Sequence, residues 1–249
     1  MKKLCFCKKI CLVIILSGLS LPALVRAQNN LEVGLEADLV SSYVWRGIKQ
    51  TGFSVQPSLG ASYKGLSLSA WGSTDISNGN NEGFKEVDFT FGYSTHGLNI
   101  AITDYWWDGE GTHRYFSGAH DGYSGHMLEG TIGYTFPQSF PLSVTWNTFF
   151  LGKGNKKANG DNSYSTYIEL SYPFSVKNVD MSTTIGFTPW ESVVYGSDID
   201  GFKITNLMLH AGTGIKLSES FTLPIFTNII FNPAVEDVHF MFGFTLGIN

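Results

Sequence analysis

The densest set of groups that could do chemistry lies between Asp108 and His126, with Glu110, His113, His120 and Asp121 between them. Carboxylates beside imidazoles are what a hydrolase at a barrel rim would use, an acid orienting a histidine that activates water or a serine. The other histidines are His96, His210 and His239, and no histidine has a serine two residues on. Loops rich in Gly, Asn and Asp carry such groups as solvated side chains, so the expectation is that the chain is not an enzyme. Ser197-Asp198-Ile199-Asp200-Gly201 and Asn159-Gly160-Asp161-Asn162 offer oxygen ligands for Ca²⁺. Neither has the helix–loop–helix ligand pattern, and these residue types are turn formers first. No metal or cofactor is expected. Tyr105-Trp106-Trp107 and Tyr115-Phe116 could stack a sugar or nucleoside, or serve as interface and loop-packing rings.

The first residues are expected to be removed before the chain folds. Lys2, Lys3, Lys8 and Lys9 precede an apolar run over 10–24, and Val25-Arg26-Ala27 offers the small residues of a cleavage site. Residues 1–27 are therefore expected to be a signal peptide, leaving 28–249 as one domain. Cys5, Cys7 and Cys11 all lie in that segment, so a disulfide-stapled secreted domain is excluded. Five of the 16 bases leave with it and none of the 21 acids, giving the remainder a formal charge of −10. Such a chain is a poor candidate for binding nucleic acid. Its aromatic content, 14%, excludes disorder, and the lack of a long apolar run past residue 30 excludes a helical membrane bundle.

Almost every later residue falls into a period of two. Leu31, Val33, Leu35, Ala37, Leu39, Tyr43 and Trp45 occupy one parity, with Glu32, Gly34, Glu36, Asp38, Ser42 and Arg46 on the other. Phe53, Val55, Leu59, Ala61 and Tyr63 repeat the pattern, as do Val238, Phe240, Phe242, Phe244 and Leu246. An apolar residue at every second position makes a strand with two different faces. Continuing the count predicts twelve strands, near 31–46, 53–64, 66–76, 86–95, 98–107, 126–136, 142–151, 164–174, 179–189, 202–217, 221–231 and 238–248. Each is long enough to cross a bilayer when tilted.

Short connections at Gly65, His96-Gly97, 137–141, 175–178 and 218–220 alternate with longer ones at 77–85, 108–125, 152–163, 190–201 and 232–237. The stretch 47–52 is intermediate. This alternation suits an all-β, transmembrane, antiparallel up-and-down barrel, with short turns on the periplasmic side and long loops outside. A soluble barrel fills its interior with bulky apolar groups. Here the polar parity is mostly Ser, Thr, Gly, Asn and carboxylates, too small for a core. Tyr63, Tyr93, Tyr134 and Tyr172 are expected to form the periplasmic aromatic girdle. Tyr43, Trp45, Phe53, Trp106, Phe150 and Tyr164 are expected to form the outer one.

Asp38-Leu-Val-Ser-Ser-Tyr-Val-Trp-Arg-Gly47, followed by Gln56-Pro-Ser-Leu59, resembles the opening of a family of small porins of Gram-negative outer membranes, the TorF-like β-barrels. Thr103-Asp-Tyr-Trp-Trp107, Trp146-Asn-Thr-Phe-Phe150, Tyr172-Pro-Phe174 and Gly186-Phe-Thr-Pro-Trp190 are similar to further segments of that group. The resemblance implies an outer-membrane barrel handling small solutes. The chain departs from many such barrels in ending Gly247-Ile248-Asn249, with Phe244 its nearest aromatic.

By parity, Asp38, Asp88, Glu129, Asn147, Glu169, Asn206 and Asn228 point inward at mid-height, with no base in their layer. Arg46 is expected at the outer mouth and Lys64 at the inner one. Such acids either hydrogen-bond to neighbours that fill the barrel or form a constriction that prefers cations. The expected protein is a monomeric outer-membrane porin that passes or binds small solutes. Its other partners would be the lipid bilayer, periplasmic chaperones and the barrel-assembly machinery. The alternatives are a closed barrel serving as an adhesin or interaction platform, and an outer-membrane hydrolase. Whether the loop 108–125 folds inward as a plug is left open.

Overall fold

The computed structural model describes residues 31–77, 85–107, 115–116, 125–196 and 199–248. The expected signal peptide lies outside these residues, as do Asp108, Glu110, His113, His120, Asp121 and most of the loop that carries them.

Twelve antiparallel strands close into one barrel. In chain order they are β1 (Glu32–Val40), β4 (Ser54–Tyr63), β5 (Leu66–Asp75), β6 (Lys85–Thr95), β7 (Leu98–Trp107) and β8 (His126–Thr135). The circuit continues through β9 (Ser143–Gly152), β10 (Thr166–Val176), β11 (Val179–Thr188), β12 (Lys203–Lys216), β13 (Thr222–Asn232) and β14 (Asp237–Ile248). Each strand pairs with its sequence neighbour in the circuit. The seam closes where Leu35–Val40 of β1 pairs with Gly243–Ile248 of β14. Closure leaves no free sheet edge.

Side chains sort by parity as the sequence predicts. Leu35, Leu59, Phe91, Ile102, Ile132 and Phe240 are exposed on the outer surface. On the other parity Ser58, Thr90, Thr103, Thr145 and Thr184 are buried inside. Tyr63, Tyr93, Tyr134 and Tyr172 stand on the outer surface toward the short-turn end, where the girdle was expected. Two of those short turns, Lys64-Gly65 and His96-Gly97, have positive φ at both residues. That backbone twist matches the twist of the strands they join.

Eleven of the strands lie within two residues of their expected bounds, and the first does not. β1 stops at Val40. After a bend at Ser41-Ser42 the chain forms a hairpin of its own, β2 (Tyr43–Trp45) and β3 (Ile48–Thr51), which is no part of the barrel wall. The expected girdle residues Tyr43 and Trp45 are consequently buried, at 5% and 3% exposure. Of the remaining outer set, Phe53 and Tyr164 are exposed. Trp106 is buried, its ring 5.6 Å from that of Tyr115, and Phe150 lies over the space left by Gly130.

Candidate functional site: an arginine hairpin in the barrel mouth

The β2–β3 hairpin turns on Arg46-Gly47, with φ of 51° and 86°. This is the two-residue geometry of the Lys64 and His96 turns, placed inside the barrel instead of at its rim. Left-handed backbone disfavours a non-glycine residue by roughly 1–2 kcal/mol, so a residue held there is expected to return the energy through its side chain. Gly47 is obligatory for a second reason. A Cβ there would lie 1.8 Å from the Thr205 carbonyl oxygen on β12, so the turn touches the inner wall. Asn232, at the end of β13, donates from Nδ2 to the Gly47 carbonyl at 3.1 Å.

Arg46 is buried at 5% exposure and forms a fork with Glu129 of β8, whose exposure is 1%. Nη1 donates to Oε2 at 2.6 Å and Nη2 to Oε1 at 2.8 Å. Nη1 also donates to the Tyr195 hydroxyl at 2.5 Å, and Tyr105 donates to Glu129 Oε1 at 3.2 Å. The guanidinium carbon stands 4.6 Å from the Trp45 ring and 4.7 Å from that of Tyr167. Burial alone would favour loss of the Arg46 proton. The Glu129 carboxylate, its hydrogen bonds and the Tyr195 and Tyr105 oxygens together outweigh it and hold the guanidinium well above its ordinary pKa, so the charge is permanent. Burial pushes the Tyr195 phenol up, leaving a neutral hydroxyl beside it. Breaking a buried pair of this kind by removing one partner costs about 3–5 kcal/mol. A desolvated cation–π contact adds up to about 2 kcal/mol.

Trp45 seats the rest of the hairpin. Its ring centroid lies 5.5 Å from Tyr195, 5.9 Å from Trp107, 6.0 Å from Tyr105 and 6.3 Å from Phe149. Tyr43 packs on Trp71 at 5.5 Å. Tyr105, Phe149, Tyr167, Trp71 and Met127 all project inward, so this end of the barrel has an aromatic core on a parity expected to be mostly small and polar. Tyr195 and Ile199 reach it from the 190–201 connection. That segment was read as a possible Ca²⁺ loop. Ile199 is instead buried, and Ser197 and Asp198 lie outside the described residues. In the other candidate loop, Asn159 and Asp161 hydrogen-bond to each other.

The predicted inward layer is inward, but it does not act as one ring. Glu129 is taken by Arg46, which corrects the expectation that no base shares the layer. Glu169 Oε2 accepts from the Tyr167 hydroxyl at 2.8 Å, and that hydroxyl accepts from Asn206 Nδ2 at 3.0 Å. Asn228 Oδ1 lies 2.6 Å from His210 Nδ1. Asn147 accepts from Thr131, and Asp38 from Thr245 across the seam. Asp88 has a neighbour the parity reading passed over, Glu86, and both are 1% exposed. Tyr43, Trp107 and Asp88 stand beside Glu86. None of the four carboxylate oxygens of the two acids makes a hydrogen bond of good geometry. Toward the short-turn end, Ser62, Ser67, Ser94 and Thr135 are small and partly exposed, so the interior is filled at one end and lightly lined at the other.

On the outer surface, Asp104 and His126 are paired as a carboxylate and the histidine it orients would be, with no nucleophile shown beside them. His126 Nδ1 lies 3.0 Å from both Asp104 carboxylate oxygens. Its other ring nitrogen, which would face a nucleophile, contacts the Tyr115 carbonyl at 2.9 Å.

Fold and site together define a closed twelve-stranded β-barrel plugged at one end by its own hairpin and by the 190–201 segment. A family model described as a bacterial protein of unknown function (Gcw_chp) matches residues 25–222, and the chain belongs to that family. No curated protein matches the sequence.

Proposed function

We propose that this barrel spans the outer membrane of a Gram-negative cell as a monomer and passes or binds small solutes, with the β2–β3 hairpin as its plug. The observation that carries the reading is the sorting of side chains: large apolar groups outward around the circuit, hydroxyls, amides and acids inward. Water would exact a free-energy cost for the first arrangement, and lipid favours it. The resemblance to TorF-like porins points the same way, and the basic-then-apolar start of the chain supports export. Assembly would involve periplasmic chaperones and the barrel-assembly machinery. Among the described residues four buried acids, Glu86, Asp88, Glu129 and Glu169, stand against one buried base, Arg46, and where ionised they favour cations over anions inside. No catalytic role is proposed.

The test is a planar-bilayer recording of protein purified from membranes. Discrete cation-preferring openings support the reading, and anion preference contradicts it. A second reading, a closed platform for adhesion or partner binding, is favoured by the depth to which the hairpin is seated. It predicts silence from the wild type and from variants whose hairpin is displaced.

A further inference from the structure

We infer that the seat of Arg46 is a receptor for small solutes bearing a guanidinium group, and that such a solute opens the barrel by taking the place of Arg46. The inference rests on the solute-passing reading above and names the solute class. The seat is shaped for a planar fork: Glu129 receives two parallel N–H groups, Tyr195 a third contact, and Tyr167 lies against the guanidinium. An ammonium ion cannot make the paired contact to both carboxylate oxygens and is more strongly hydrated.

These wall groups do not belong to the hairpin. Glu129 and Tyr167 are fixed in β8 and β10, and Tyr195 comes from the 190–201 segment. The receptor therefore remains when the hairpin leaves, losing only the Trp45 ring. Arg46 is in this sense a tethered ligand, and a free ligand for the same seat draws the population toward the undocked state.

The experiment compares methylguanidinium with methylammonium on the full protein in planar bilayers. In the wild type, methylguanidinium should raise the fraction of time open and methylammonium should not. Arg46→Ala should conduct without ligand and be blocked by methylguanidinium at concentrations about tenfold lower than methylammonium, the worth of one further charge-assisted hydrogen bond. Adding Glu129→Gln should abolish that difference. Equal block by the two cations in Arg46→Ala, or a preference that survives Glu129→Gln, overturns the inference while leaving passage intact. If the wild type, Arg46→Ala and Gly47→Val are all silent, passage itself fails and with it the opening step. The seat is then judged in detergent: methylguanidinium should restore the thermal midpoint of Arg46→Ala but not of the double variant, and no restoration rejects the receptor.

Discussion

Tyr167 lies across Gly186 so closely that a Cβ at position 186 would fall 1.9 Å from the tyrosine hydroxyl. The glycine of β11 is thus the floor on which the ring facing Arg46 rests. The Tyr167 hydroxyl is meanwhile held between Glu169 and Asn206. The position of one backbone atom on the wall is in this way transmitted to the plug.

Gly186→Ala should tip Tyr167 off its floor and loosen the hairpin without disturbing the strand pairing around it. Ser42→Cys is a suitable reporter, because Ser42 is buried and the only native cysteines, Cys5, Cys7 and Cys11, lie in the expected export segment. Its labelling by a small thiol reagent should quicken several-fold in the alanine variant. An unchanged rate would show that the ring does not hold the plug.

Glu129→Gln leaves the Arg46 charge buried without its counter-ion. The penalty of about 3–5 kcal/mol falls on hairpin docking, not on the barrel wall. Labelling of Ser42→Cys should therefore rise by at least about a hundredfold, with the strand signal in circular dichroism unaltered. A loss of that signal would mean that the pair holds the barrel itself.

Phe91 is exposed at 56% near the middle of β6. If lipid covers it, Phe91→Lys should lower the stability of refolding into vesicles by about 2–4 kcal/mol. On a water-facing surface the same change would stay within about 0.5 kcal/mol. A denaturant titration in vesicles separates the two.

Asn159 lies in a long connection and His96 in a short turn at the opposite end of the barrel. A thiol reagent that does not cross membranes should label Asn159→Cys on intact cells and leave His96→Cys untouched. The reverse pattern would invert the proposed topology.

The strands were readable in the sequence because in a two-faced sheet each residue declares its side. The hairpin was not, and Tyr43 and Trp45 show why. They continue the parity of β1 beyond Val40, and alternation records only that the chain is extended, not that it has turned inward at Ser41-Ser42. Two amphipathic rings at a strand end also read naturally as membrane-interface groups. The signal that was present is Arg46-Gly47, a two-residue turn between short alternating runs. The inward layer was legible residue by residue, yet its pairing was not. Glu129 meets Arg46 across 83 positions. Tyr105, Phe149 and Tyr167 are recognisable only as large rings on the small-residue parity, clustered toward the long-loop ends of their strands.

The side-chain hydrogen bonds that hold Arg46 and Gly47 span long stretches of chain: 83 residues to Glu129, 149 to Tyr195 and 185 to Asn232. The hairpin itself closes over two residues and can form in about 1–10 μs, long before those partners are synthesised or paired. Its docking site is not complete until β13, which carries Asn232, has joined the wall. Seating of Arg46 is consequently a late event in maturation, a built-in check that is satisfied only by a chain whose circuit is almost complete.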